Sequence, residues 1–190
     1  MESKIESKIE SKIESKMEFE NGKYKIFKNL LQLTPTTCDK LKSYARKHSE
    51  SIFNPDYKRL QTPIDKTHFF YKIFEDALIQ TGITRGRQIN DMVLLYSKKG
   101  CKKQSYHYDY DPYKLNNIRR KPCGVLFAIE PNTKINILKK GEVYLDQGDC
   151  LVFEGDCVHA GSSYNSDNVR LHTYLDVIDI KRSKNSTWFY

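Results

Sequence analysis

"GDCLVFEGDCVHAG" occupies residues 148–161. Its centre is an apolar run, Cys150 to Phe153, with Gly148-Asp149 before it and Gly155-Asp156 after it. A short apolar run closed at both ends by turn-forming residues reads as a strand, over 150–155. The second Gly-Asp turn delivers a histidine, His159, flanked by Val158 and Ala160. The same design recurs throughout the chain after residue 90. Residues 91–97, 105–110, 124–130, 134–138, 142–146 and 169–178 are β-rich segments separated by Gly, Pro, Asn or Asp.

Upstream of residue 90 the periodicity is helical. Residues 33–50 open with Thr34-Pro35-Thr36, which suits an N-cap and first turn, and place Cys38, Leu41 and Ala45 on one face. Residues 68–82 repeat Phe70, Phe74 and Leu78 at i, i+4, i+8 and end on Gly82. A short strand is expected within 23–31, and a loop over 51–66, which holds Pro55 and Pro63. Helices first and many short strands afterwards predict an α+β domain, a sandwich or barrel flanked by N-terminal helices.

The 190 residues are 38% hydrophobic and 12% aromatic, enough for one domain with a full core. No apolar run is long enough to span a bilayer, and no secretory h-region is visible. Five cysteines, an odd number with no CxxC pair, argue against a disulfide scaffold and a zinc ribbon. The expected setting is therefore the cytoplasm or another intracellular, reducing compartment, with no membrane partner. Residues 1–16 repeat a tetrapeptide, MESK-IESK-IESK-IESK. In a helix this period stacks Glu on Glu and Lys on Lys, which opposes helix formation. Ile5, Ile9, Ile13 and Met17 offer only a thin apolar stripe. Residues 1–21 are read as a disordered low-complexity tail and 22–190 as a single domain. The net charge is +8, and the first 20 residues hold six Glu and four Lys, so the remainder carries the whole positive excess. Such a balance attracts nucleic acid or acidic protein, although a Lys-, Asn-, Ile- and Tyr-rich composition also produces it without any partner.

Candidate chemistry starts at "QSYHYDYDPY", residues 104–113. His107 and Asp109 lie two apart, so a strand would put both on one face. An imidazole and a carboxylate there supply two ligands of a facial metal site, which a second histidine would complete. HxD alone is common, and a strand-end His beside a surface Asp is the plain alternative. Of the remaining histidines, His48 ends one predicted helix and His68 opens the other, where solvent or capping roles are expected. His159 lies 52 residues after His107, room enough for the strands needed to return to the same pocket. Eleven residues further, "NVRLHTYLDV" alternates: Val169, Leu171, Thr173 and Leu175 point one way, and Arg170, His172, Tyr174 and Asp176 the other. If the second face is solvated, Arg170 is a surface charge. If it lines a barrel, a buried guanidinium needs an anion, and its fork suits a carboxylate. Tyr96, eleven residues before His107, is either a core tyrosine or a second donor to that carboxylate.

This ordered set resembles the iron(II)- and 2-oxoglutarate-dependent dioxygenases: HxD, a His about fifty residues on, and an Arg about ten later. "LLYSKKGCKKQSYHYD" is similar to that family's approach to the HxD strand, "LDQGDCLVFEGDCVHAGSSY" to its approach to the distal His, and "LQLTPTTCDKLKSYAR" to the opening helix of its prolyl-hydroxylase-like branch. The resemblance covers roughly residues 23–178. It implies a double-stranded β-helix, or jelly-roll, core with His107, Asp109 and His159 holding Fe(II). Asp111 is the fallback carboxylate. It further implies that Arg170 binds the distal carboxylate of 2-oxoglutarate, helped by Tyr96 and His172. Prolyl-hydroxylase-like members usually carry Lys at the anion site, so Arg170 argues against prolyl hydroxylation while leaving the general chemistry intact. The implied reaction consumes dioxygen and 2-oxoglutarate, releases succinate and CO2, and hydroxylates a substrate. A polypeptide is favoured slightly over a nucleic acid. The basic stretches 98–103 and 110–122 are expected at the mouth of the jelly roll. The competing readings are a jelly-roll binding module without turnover and a basic nucleic-acid-binding protein.

Overall fold

The structure, a computed structural model, describes residues 23–51, 58–182 and 186–190; the reading of 1–21 as a disordered tail lies outside these. Among the described residues, twelve strands form two antiparallel sheets. The larger sheet has the order β1-β9-β6-β11-β4-β3-β2 and the smaller the order β12-β5-β10-β7-β8. In chain order they are β1 (Tyr24–Phe27), β2 (Glu50–Ser51), β3 (Arg59–Pro63), β4 (Gln88–Ser97), β5 (His107–Tyr108) and β6 (Cys123–Ala128). Then follow β7 (Thr133–Ile137), β8 (Gly141–Leu145), β9 (Cys150–Glu154), β10 (His159–Gly161), β11 (Asn168–Asp176) and β12 (Trp188–Phe189). From β4 to β11 the chain passes between the sheets: β4, β6, β9 and β11 in the larger, β5, β7, β8 and β10 in the smaller. That winding is a jelly roll, and it brings β5 and β10, far apart in sequence, side by side.

Among the described residues, two α-helices cover the outer face of the larger sheet. Helix α1 (Pro35–His48) is capped by Thr34, whose hydroxyl accepts from the Thr37 N–H at 3.2 Å, and it buries Cys38, Leu41 and Ala45. Helix α2 (Phe69–Thr81) is capped by the His68 ring and ends on Gly82 in the left-handed conformation, φ 74°. Phe70, Phe74, Ala77 and Leu78 of α2 pack with Met92, Leu94, Val169, Leu171 and Leu175 of the sheet. Each such buried Leu or Phe contributes about 1.5–3 kcal/mol relative to exposure. A second core fills the space between the sheets, where Leu126, Ala128, Leu151 and Phe153 meet Ile135, Ile137, Val143 and Leu145. Among the described residues, no helix is long and apolar enough to cross a membrane.

The opening stretch is explained by this frame. β9 is buried at Cys150, Leu151, Val152 and Phe153 because both its faces are covered, which accounts for a continuous rather than alternating apolar run. Gly148 has φ 89°, and a Cβ there would meet the Leu31 carbonyl at 2.7 Å, so the first Gly-Asp turn requires its glycine. Asp149 then accepts from the Asn29 and Asp146 N–H groups and from Lys28, tying the end of β1 to this turn.

The sequence expectation of a loop over 51–66 is corrected at Ser51, which ends β2, and at Arg59–Pro63, where β3 pairs with β4; its residues 52–57 lie outside the described residues. Pro63 at its end and Pro55 upstream of it gave the segment the look of a loop, and Pro63 is tolerated because it stands at the last position of the strand. The strand expected over 105–110 shortens to His107–Tyr108, and β10 and β12 were too short to read.

Candidate metal centre and anion pocket

A cavity of about 1260 Å³ lies between the sheets, lined from both of them. β5 and β10 place His107 directly opposite His159, with ring centroids 4.5 Å apart. Asp109 follows as the chain leaves β5, and one ligand atom from each of His107, Asp109 and His159 lies within 4.8 Å of the others. All three are buried.

Each imidazole is oriented by the backbone two residues before it. His107 Nδ1 lies 2.9 Å from the Ser105 carbonyl and His159 Nδ1 3.0 Å from the Cys157 carbonyl. A carbonyl can only accept, so the proton sits on Nδ1 and the Nε2 lone pair is left for a ligand. Burial, with His159 adding to it, pushes the His107 pKa down and keeps the ring neutral at pH 7. Burial acts to raise the Asp109 carboxyl, but His159, His172, His107 and Arg182 outweigh it and hold it below the usual carboxylate range. Gly124, opposite, leaves room: a Cβ there would stand 2.4 Å from the Phe153 ring and 2.8 Å from Asp109 Oδ2.

The donor set fits a divalent cation. Asp109 Oδ2 is buried and has no hydrogen-bond partner among the described residues. A buried anion without a donor is costly, and two imidazoles that turn Nδ1 to backbone carbonyls and leave Nε2 for a ligand complete a two-histidine, one-carboxylate set. Asp111, the fallback carboxylate, is elsewhere engaged: it accepts from the Tyr113 N–H at 3.0 Å and caps the short 3₁₀ turn Pro112–Leu115.

The alternating face of β11 lines the cavity, with Arg170, His172 and Tyr174 all on its wall. Arg170 is buried, donates to Ser97 Oγ at 3.0 Å and to Asn168 Oδ1 at 3.4 Å, and lies over the Tyr164 ring. Among the described residues no carboxylate pairs with it. His172 stands beside the metal set rather than apart from it, its Nε2 3.7 Å from Asp109 Oδ2. Burial drives its pKa down to about 3, against the pull of Asp109.

Tyr96 is not brought to this cavity, and its expected place beside Arg170 is withdrawn. Cross-strand partners share a face, and Tyr96 pairs with Val169 while Leu95 pairs with Arg170. Tyr96 therefore points to the helix layer, where its hydroxyl donates to Asp167 at 2.6 Å. What sequence reasoning missed is Arg59. It is buried, lines the cavity, and shares Ser97 Oγ with Arg170 at 3.3 Å while donating to the carbonyls of Lys102, Gly161 and Ser162. The signal was the alternation in "RLQTP", where Arg59, Gln61 and Pro63 line the cavity and Thr62 is buried on the other face. Of the two basic stretches, Lys102 and Lys103 of the first reach the cavity wall, and none of 110–122 does.

No protein-family model matches the chain, and no curated protein matches its sequence. Solved structures do match its fold. HygX from Streptomyces hygroscopicus, with nickel and 2-oxoglutarate bound, superposes with a TM-score of 0.65 at 7% identity, covering 85% of each chain. The viral collagen prolyl hydroxylase of Paramecium Bursaria Chlorella virus-1, as its 2-oxoglutarate complex, gives 0.58 at 12% identity over 82% of this chain and 96% of that one. The prolyl hydroxylase of Trichoplax adhaerens, in complex with a hypoxia inducible factor oxygen degradation domain peptide fragment, gives 0.61 at 12% identity over 80% and 82%. The chain thus has the jelly-roll fold of the 2-oxoglutarate oxygenases.

Proposed function

We propose that the protein is an Fe(II)- and 2-oxoglutarate-dependent oxygenase that hydroxylates its substrate, with succinate and CO2 as co-products. The observation that carries this is one cavity holding both halves of the requirement. A buried carboxylate with no hydrogen-bond donor at Oδ2 stands beside two oriented imidazoles on the smaller sheet, and a buried guanidinium without a carboxylate partner among the described residues lines the same cavity from the larger sheet. The 2-oxoglutarate and nickel held by the fold neighbours support the reading.

In this reading His107, Asp109 and His159 hold the metal and Arg170 binds the distal carboxylate of 2-oxoglutarate. The bound iron, with 2-oxoglutarate and dioxygen, supplies the oxidising power. The chain's own residues supply position. The Ser105 and Cys157 carbonyls fix both imidazole tautomers before metal arrives. Ser97, Asn168 and the Tyr164 ring hold the Arg170 guanidinium in one plane, so its fork is set before the ligand binds. Val93, Leu95, Leu126 and Ile135 make part of the wall apolar and limit water around the reacting centre.

Anaerobic titration with Fe(II) and then 2-oxoglutarate tests the reading before any substrate is known. The weak visible charge-transfer band of a chelated Fe(II) site is expected in the wild type and absent in His107→Ala. No band in the wild type, with iron bound or not, would overturn the assignment.

A further inference from the structure

The C-terminal strand adds an aromatic surface to the edge of the metal-bearing sheet. β12 pairs with β5 so that Phe189 stands opposite the ligand His107 and Trp188 opposite Tyr108. Phe189 and His107 face the cavity, where both line the wall. Alternation then puts Tyr108, Trp188 and Tyr190 on the outer face. The Tyr108 and Tyr190 rings meet at 6.1 Å, and the Tyr190 N–H donates to the Tyr106 carbonyl at 3.1 Å. These rings are not core. Trp188 is 42% exposed, Tyr190 70% and Phe189 76%, and Tyr113, just beyond β5, is 82% exposed.

Lysines border the rings. Lys103 Nζ lies 4.3 Å from the Tyr106 ring centroid, and Lys102 and Lys103 both line the cavity wall. Among the described residues neither is paired with a carboxylate. The acids nearby are occupied: Asp111 caps the turn at Tyr113, and Asp156 pairs with Lys23 and Lys121. Lys103 joins the two sides of this edge: its ammonium lies over the ring of Tyr106, whose carbonyl holds Tyr190, and it also lines the cavity that Phe189 and His107 share. An acidic peptide would use the lysines and leave the exposed rings unexplained. A neutral sugar would use the rings and leave the lysines unexplained. A single-stranded nucleic acid uses both, its bases stacking on aromatic faces while its phosphates meet the ammonium groups.

We propose that the outer rings Tyr108, Trp188, Tyr190 and Tyr113, together with Lys102 and Lys103 at the cavity wall, bind a single-stranded nucleic acid and feed it to the cavity. This deepens the oxygenase reading by naming its substrate class, and rests on that reading for the chemistry.

The test is fluorescence anisotropy with a labelled single strand of about 12 nucleotides, within the site size of such surfaces, and with an oligo-glutamate peptide of equal length. Trp188→Ala and Tyr190→Ala are expected to weaken strand binding by roughly 5- to 150-fold each, the loss that follows one unstacked base. Lys102→Ala with Lys103→Ala is expected to reduce the slope of log K against log salt by about 0.7 per lysine. Because the aromatic side chains are exposed, these variants keep the fold, which circular dichroism checks; Tyr113→Ala gives a further probe. Strand binding that ignores the aromatic changes, or peptide binding as tight as that of the strand, would overturn the proposal. The iron and 2-oxoglutarate band, measured on the same samples, separates the two claims. A band without strand binding rejects the nucleic-acid substrate alone. Strand binding without a band upholds the surface and rejects the oxygenase.

Discussion

His172 Nε2 stands 3.7 Å from Asp109 Oδ2, the same distance at which His159 Nε2 approaches that oxygen from the other sheet. The carboxylate is thus flanked by an imidazole of the proposed metal set and by one that belongs to β11. His172 is held there by its surroundings: its ring stacks on Phe153 at 6.1 Å and meets the Tyr174 edge at 4.6 Å. With its pKa near 3 it is neutral at pH 7 and adds no charge beside the cation the site would hold. It limits the positions open to the carboxylate. His172→Phe preserves the ring packing and removes the nitrogen. The expected outcome is a loss of about 10- to 100-fold in Fe(II) or Mn(II) affinity with an unchanged melting temperature of the metal-free protein, the size typical of residues that orient a ligand. Equal metal affinity in the variant would reduce His172 to packing.

Arg170 and Tyr96 were expected to act together, and the structure separates them across the sheet. Arg170→Ala should raise the 2-oxoglutarate concentration for half-saturation by roughly 10- to 100-fold, as expected for a lost charge-assisted hydrogen bond of about 1.5–3 kcal/mol. Metal binding should be retained. Tyr96→Phe removes the bond to Asp167 on the helix side and should cost about 0.5–1.5 kcal/mol of stability, with 2-oxoglutarate affinity unchanged. Calorimetric titration of both variants decides this. A weakened 2-oxoglutarate affinity in Tyr96→Phe would return the tyrosine to the anion site.

The parity that misplaced Tyr96 shows where sequence reading stops. The alternation within β11 was legible because Val169, Leu171 and Leu175 are apolar and Arg170 and His172 are not. The face of Tyr96 depends on register against a strand more than 70 residues away, and a one-residue difference in register moves a side chain to the other side of the sheet. His107 and His159 were recoverable for the opposite reason. His159 follows the Gly155-Asp156 turn, and the two-residue spacing of His107 and Asp109 keeps them together even though β5 ends at Tyr108. β3 was lost because its cavity-facing residues are polar and its alternation runs for only five residues, too few to stand out from a loop. With it went Arg59, whose role requires knowing that Ser97, Gly161 and Ser162 converge on one point.

The Gly-Asp turn before β9 carries a pH dependence of its own. Asp149 is held below its ordinary value of 3.8. Burial opposes this, but Lys28 and the Asn29 and Asp146 N–H groups outweigh it. A carboxyl with a depressed folded value adds stability that is present in full above the unfolded value, and the contribution disappears as pH falls from there through the folded value. Asp149→Asn should therefore cost about 1–3 kcal/mol at neutral pH, the loss of hydrogen bonds to a charged group. The gap between variant and wild type should shrink below pH 3.8. Urea unfolding at pH 7 and in acid measures both. A gap that is constant with pH would mean that the carboxylate's charge is not what holds the end of β1.

Asp109 gives the last and most direct test of the metal set, because its readout needs neither substrate nor turnover. Its Oδ2 has no donor among the described residues, so a bound cation is the partner that the fold leaves room for. A ligand that binds only the folded state stabilises it by mass action, about 2.7 kcal/mol at a hundredfold excess over Kd. For a domain of this size that is a rise of roughly 5–10 °C in Tm. Mn(II), or Fe(II) under anaerobic conditions, should produce such a rise in the wild type, and a chelator should reverse it. Asp109→Asn keeps the shape of the side chain and removes its charge, so the rise should disappear while the variant remains folded. If Asp109→Asn still gains the full rise, the cation sits elsewhere, and the His107, Asp109 and His159 assignment fails with it.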